Sequence, residues 1–178
     1  MKRLIFISMC VLMCVTACSC GTAQTDTTAT TITTAVDTKP SANDIDISGF
    51  DAGNTVLHIG DVITQDVINL IGTPESIEQA PSCHYDGNDT LYYYLGYTLY
   101  TYRDGENDIL YTIELNSEDV KTSLDIAVGQ SRDDVVSAYG ENYESQGKFI
   151  EYSISDSAYL KFTFDDSNLV TMIEYYSK

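Results

Sequence analysis

The sequence predicts an α+β fold of two tandem repeats, each a short helical segment packed on a three- to four-stranded antiparallel sheet. Three observations predict it. The chain repeats itself: IGDVITQDVINLIGTPES and VGQSRDDVVSAYGENYES align Asp66-Val67-Ile68 with Asp134-Val135-Val136, and Gly72 with Gly140, at one common offset. Each copy carries helix start and stop signals in register. Each is followed by short, aromatic, β-branched runs separated by turn residues, which read as antiparallel strands.

The first helix starts at Thr64, a good N-cap, with Ile63 and Ile68 at the two positions of a hydrophobic staple. Val67, Leu70 and Ile71 share one face by their i, i+3, i+4 spacing. Gly72 stops the helix and Pro74 blocks its continuation. In the second copy Ser131 and Asp134 have capping-box spacing, Val135, Ala138 and Tyr139 form the apolar face, and Gly140 ends it. Strands are expected near 90–95, 97–103 and 109–115, then near 148–154, 159–165 and 169–176. Tight turns fall at Leu95-Gly96 and Ser155-Asp156-Ser157.

Ahead of the repeats the composition is different. MKR followed by LIFISMCVLMCV is a charged region and an apolar run too short to span a bilayer, as in a signal peptide. It ends in Val15-Thr16-Ala17-Cys18, which resembles the bacterial lipobox and implies cleavage before Cys18 and lipid on its thiol. The segment to residue 45 is rich in Thr, lacks aromatic residues, and cannot bury enough apolar surface to order itself. The expected organisation is a signal peptide over 1–17, a flexible tether over 18–45, a first repeat over 46–120 and a second over 121–178. Cys83 is then the one cysteine of the folded part, expected as a buried, inert thiol.

All 14 tyrosines lie at or after position 85, six of them crowded into TLYYYLGYTLYTY. Phe162 and Phe164 alternate with Lys161 and Thr163, so the phenylalanines should face the helix. Aligning Leu99-Tyr100-Thr101-Tyr102 with Lys161-Phe162-Thr163-Phe164 places Tyr93, Tyr100 and Tyr102 in the core. The turn at Leu95-Gly96 pairs Tyr94 with Tyr97 and Tyr92 with Leu99. That puts Tyr92, Tyr94, Tyr97, Leu99 and Arg103 on an outer face, with Tyr159, Lys161 and Thr163 on the outer face of the second repeat. Such amphipathic rings suit a protein interface; two sheets packing on each other would also account for them.

The pattern of helix, IG-x-P, aromatic strands, acidic turn and a V/I-x-x-I-E strand resembles the SmpA/OmlA small lipoproteins of outer-membrane assembly. It is carried by Gly60 through Pro74, Tyr100-x-Tyr102-x-Asp104-Gly105 and Ile113-Glu114, and again by Gly129 to Gly140 and Phe162-x-Phe164-Asp165. Two such units in tandem resemble β-lactamase inhibitory protein. The resemblance implies a sheet face that grips a partner protein; this chain lacks that family's disulfides.

The 27 Asp+Glu against 9 Lys+Arg give a net charge of −18, which argues against a nucleic-acid partner and favours a basic one. No HExxH, CxxC pair, GxSxG or phosphate loop appears in the domain. Cys83 and His84 are sequence neighbours whose side chains diverge, so no nucleophile–base pair is expected. Asp104 to Asp108 lacks the ligand pattern of a calcium loop and reads as a hairpin turn. The expectation is a lipoprotein held to the membrane by lipid at the bacterial cell surface. It binds an unknown protein or cell-wall component without catalysis, metal or cofactor. An envelope assembly factor and a carboxylate-dependent hydrolase are the alternatives.

Overall fold

The computed structural model describes residues 45–178. The expected signal peptide, nearly all of the expected tether, and Cys18 lie outside them. Among the described residues no helix is long and apolar enough to cross a membrane.

Strands β1 (Gly49–Asp51) and β2 (Val56–His58) form a small hairpin. Helix α1 (Gln65–Ile71) follows, then β3 (Ser76–Pro81), β4 (Asn88–Tyr94), β5 (Tyr97–Asp104) and β6 (Asn107–Leu115). A loop leads to α2 (Arg132–Tyr139), then β7 (Glu144–Gln146), β8 (Phe149–Ser153), β9 (Ala158–Phe164) and β10 (Val170–Ser177). The last eight strands make one antiparallel sheet in the order β3-β4-β5-β6-β10-β9-β8-β7.

This corrects the predicted fold class. The molecule is mostly β, with one continuous eight-stranded sheet and a two-stranded one, not a pair of helix-on-sheet repeats. The reason is the free edge. Leu115 to Thr112 of β6 pair with Ile173 to Tyr176 of β10, so each strand satisfies backbone groups that a separate sheet would leave unpaired. The helices are too small to form layers: α1 has seven residues and none fully buried, and α2 has eight with Val135 alone fully buried. The rest of the covering layer is the β1–β2 hairpin and the loop before α2. Phe50 meets the Tyr97 ring edge-on at 5.0 Å and lies 6.2 Å from Tyr175, while Leu124 and Ile126 are buried.

The helix ends follow their capping chemistry. The Val67 amide donates to the Thr64 hydroxyl, and the Asp134 amide donates to the Ser131 hydroxyl while the Ser131 amide donates back to the Asp134 carboxylate. Gly72 and Gly140 take positive φ at the two C-termini, where their amides bond Ile68 and Val136 carbonyls. Val67, Ile68 and Ile71 pack on the core, but Leu70 is exposed. Strand β7 carries no apolar residue and β3 only Ile77, Ala80 and Pro81, and both are exposed throughout, so no hydrophobic alternation announces them. They are the two sheet edges, kept polar or closed with Pro81.

Each half of the sheet carries one irregularity at the corresponding place. Tyr100 and Thr101 pair with Thr112 and Leu110, leaving Tyr111 as an extra residue; Thr163 and Phe164 pair with Met172 and Val170, leaving Thr171 extra.

Candidate functional site

The sheet has a covered face, where both helices and the hairpin pack, and an open one. Strand β9 shows the two faces plainly. Ala158, Leu160, Phe162 and Phe164 are buried, and Tyr159, Lys161 and Thr163 between them are partly exposed. These three predicted site residues do lie on the open face.

The other five do not. Tyr94 pairs with Tyr97 and Tyr92 with Leu99, as the turn at Leu95-Gly96 requires. The face, however, is the opposite of the predicted one. Tyr92, Tyr97 and Leu99 are 5%, 9% and 0% exposed and belong to the core. Tyr94 packs against that core, stacked on Tyr97 at 4.8 Å. Arg103 sits at the end of the same face, with its Nε 3.3 Å from Asp108 and its Nη1 donating to the Glu106 carbonyl. Tyr93, Tyr100 and Tyr102, expected inside, are on the open face.

The cause is a slip of one residue. The two irregular pairs align Tyr100 with Thr163 and Thr101 with Phe164, so Leu99 corresponds to Phe162 and Thr98 to Lys161. Pairing Leu99 with Lys161 moves every side chain of β5 to the wrong side, because the strand period is two. Cys83 is also corrected: its side chain is exposed in the turn between β3 and β4, not buried.

The open face joins tyrosines to carboxylates. The Tyr111 hydroxyl donates to Asp89 at 2.8 Å, the Tyr100 hydroxyl to Glu114 at 3.2 Å, and the Tyr176 hydroxyl to Glu151. Burial, then the Glu114 charge, push the Tyr100 phenol up to about 12; burial and a carboxylate partner also raise Tyr111 and Tyr176. All three therefore stay protonated as donors at neutral pH. The β3–β4 turn folds over this face. Tyr85 stacks on Tyr102 at 3.7 Å and meets Tyr111 edge-on at 5.4 Å, and His84 lies 6.1 Å from Tyr111.

Two lysines complete the other half. Lys161 Nζ lies 2.5 Å from Glu174 and 5.0 Å above the Tyr176 ring. Lys178 Nζ lies 2.5 Å from Glu151 and 3.9 Å above the Tyr159 ring. Between the lysines and the turn lies a cavity of about 480 Å³, lined among others by Tyr85, Tyr111, Lys161, Glu174 and Tyr176. Rings with a few convergent charged groups are the usual make-up of a recognition site. Sequence reasoning missed Tyr85, Tyr100, Tyr111, Glu114, Glu174 and Tyr176. The Ile-Glu pattern shared by Ile113-Glu114 and Ile173-Glu174 was the available signal for two of them.

No family model and no curated protein matches the chain. Among solved structures it is similar to an extracellular protein containing a SCP domain from Bacillus anthracis str. Ames, at 15% identity and a TM-score of 0.44. The match covers 80% of this chain and 47% of that one, so this chain spans about half the length of its structural neighbour.

Proposed function

We propose that the protein is a lipid-anchored cell-surface protein that holds another protein or an envelope component on the open face of its sheet, without catalysis. One observation carries this reading: a sheet sealed on one side by a core leaves on the other a field of tyrosines and ion pairs around a cavity of about 480 Å³. Rings of this kind give contact area at low rotamer cost, and the hydrogen bonds beneath them hold them in place before any partner arrives. The Val15-Thr16-Ala17-Cys18 motif supports the lipid anchor, and the Thr-rich segment after it supports a tether of useful reach.

The test is capture from an envelope extract by the wild-type chain and by a Tyr100→Ala/Tyr159→Ala double variant. The variant should keep its fold by circular dichroism and lose the captured component. Equal capture by both would remove the open face as the binding surface. Mass of the mature protein after expression in a lipoprotein-processing bacterium tests the anchor; an unmodified Cys18 would remove it.

A further inference from the structure

The two halves of the open face treat positive charge differently. On the β8–β10 side, both carboxylates hold an ammonium of the protein's own: Lys161 between Glu174 and the Tyr176 ring, Lys178 between Glu151 and the Tyr159 ring. On the β4–β6 side, Asp89 and Glu114 have no ion-pair partner among the described residues. Their surroundings are the same in kind. Asp89 is 6% exposed and takes one bond, from Tyr111, while its Oδ1 is buried without a partner. The rings of Tyr85, Tyr100 and Tyr102 lie 5.4 to 6.3 Å from that of Tyr111, and Tyr85 stacks on Tyr102 at 3.7 Å.

A second observation points the same way. Glu114 and Glu174 sit directly opposite each other in the β6–β10 ladder. Like charges in that position repel, and Lys161 pairs with Glu174 alone. The four carboxylates Asp89, Glu114, Glu151 and Glu174 thus face two ammonium groups, and the excess is negative.

We infer that the Glu114 side of the open face receives an arginine side chain of a basic partner polypeptide, the guanidinium lying against the tyrosine rings and bonding Glu114. Arginine fits better than lysine because its planar group stacks on a ring and donates in a fork to a carboxylate. Lys161 and Lys178 show the same arrangement built within one chain. The net charge of −18 draws such a partner in from a distance. The inference rests on the open face being the binding surface, and adds the chemistry of what is bound.

The experiment is calorimetric titration of the full chain at physiological salt with acetyl-(Gly-Arg)₃-amide and with the same peptide carrying citrulline, the neutral isostere, in place of arginine. The arginine peptide should bind and the citrulline peptide should not. Glu114→Gln should weaken binding at least tenfold, and Asp156→Asn, which removes an equal charge from a distant turn, less than twofold. Glu114→Lys, which supplies a cation from within, should abolish binding with no loss of thermal stability. Silence of the arginine peptide, equal weakening by Glu114→Gln and Asp156→Asn, or equal affinity for the citrulline peptide or for a neutral N-acetylglucosamine tetramer would each overturn the inference. If any of these occurs while Tyr100→Ala/Tyr159→Ala still loses the envelope component, the open face stands as the binding surface and the arginine chemistry alone falls.

Discussion

Strands β5 and β9 occupy matching places in the two halves of the sheet, each third from its edge. In β9 every second residue is buried and the others are half-exposed. In β5 the first three residues, Tyr97, Thr98 and Leu99, are all buried, and the rings of Tyr100 and Tyr102 that follow lie on the open side, opposite the ring of Tyr97. The contrast shows what holds a strand in register. β9 has one apolar side, so slipping it by one residue would bury Lys161 and expose Phe162. β5 has aromatic residues on both sides, so its own pattern tolerates either orientation. Its facing is set by neighbours: the turn at Leu95-Gly96, the extra residue Tyr111 on β6, and Phe50 of the covering hairpin resting on Tyr97.

The largest effects should come from truncating the covered side. Leu99→Ala and Phe162→Ala each open a void at a site that is 0% exposed, at a cost of about 3–5 kcal/mol. Tyr97→Ala should cost about 3 kcal/mol, since it removes a ring packed on both Phe50 and Tyr94. Tyr100→Ala, one turn of the pleat away but on the open side, should cost about 1 kcal/mol. Urea unfolding of the four variants measures the order. A Tyr100→Ala loss as large as that of Tyr97→Ala would show that the open face is packed, and the distinction between the two sides of β5 would be gone.

The same contrast explains what could be read in advance. Caps at Thr64 and Ser131 were legible because they depend on residues a few positions apart. The faces of β9 were legible because Lys161 and Thr163 alternate with phenylalanines. The faces of β5 were not, because in Leu99-Tyr100-Thr101-Tyr102 the polar Thr101 is on the buried side and the amphipathic tyrosines are on the open one. The merging of the sheets was invisible for a different reason: the β6–β10 pairing joins residues about sixty positions apart through backbone bonds, which leave no mark on side-chain pattern. The extra residues Tyr111 and Thr171 decide the alignment of the halves, and nothing local in the sequence flags either. The expected faces failed with the register. Tyr159, Lys161 and Thr163 lie on the open face as expected; Tyr100 was assigned inward, and Tyr111 and the carboxylates were passed over.

A smaller effect distinguishes the two sides of the open face. Burial raises the Glu151 pKa, but the Lys178 ammonium and the Tyr176 hydroxyl outweigh it and hold the carboxyl below the ordinary glutamate value. A group whose folded pKa is lowered contributes stability that is present above its unfolded pKa, about 4.3, and lost as pH falls through the lower folded value. Glu151→Gln should therefore cost about 1 kcal/mol at pH 7, and the difference from wild type should shrink as pH falls below about 4. Thermal melts from pH 2 to 7 check this. A constant difference across that range would mean that the ion pair contributes nothing and that Glu151 acts through packing alone.

The smallest expected change has the opposite sign. Glu114 faces Glu174 across the β6–β10 ladder, and Lys161 relieves only the second of them. Glu114→Gln removes that repulsion and keeps an acceptor for the Tyr100 hydroxyl, so it should stabilise the fold by about 0.5 kcal/mol. In a domain of this size that raises Tm by about 2 °C. Glu151→Gln, on the side where the charges are already matched, moves stability the other way. A residue whose removal improves the fold has to be explained by something other than the fold, and binding surfaces are where such residues collect. If Glu114→Gln instead lowers Tm, the glutamate is a structural part of the sheet, and the two sides of the open face no longer differ in the way their charges are held.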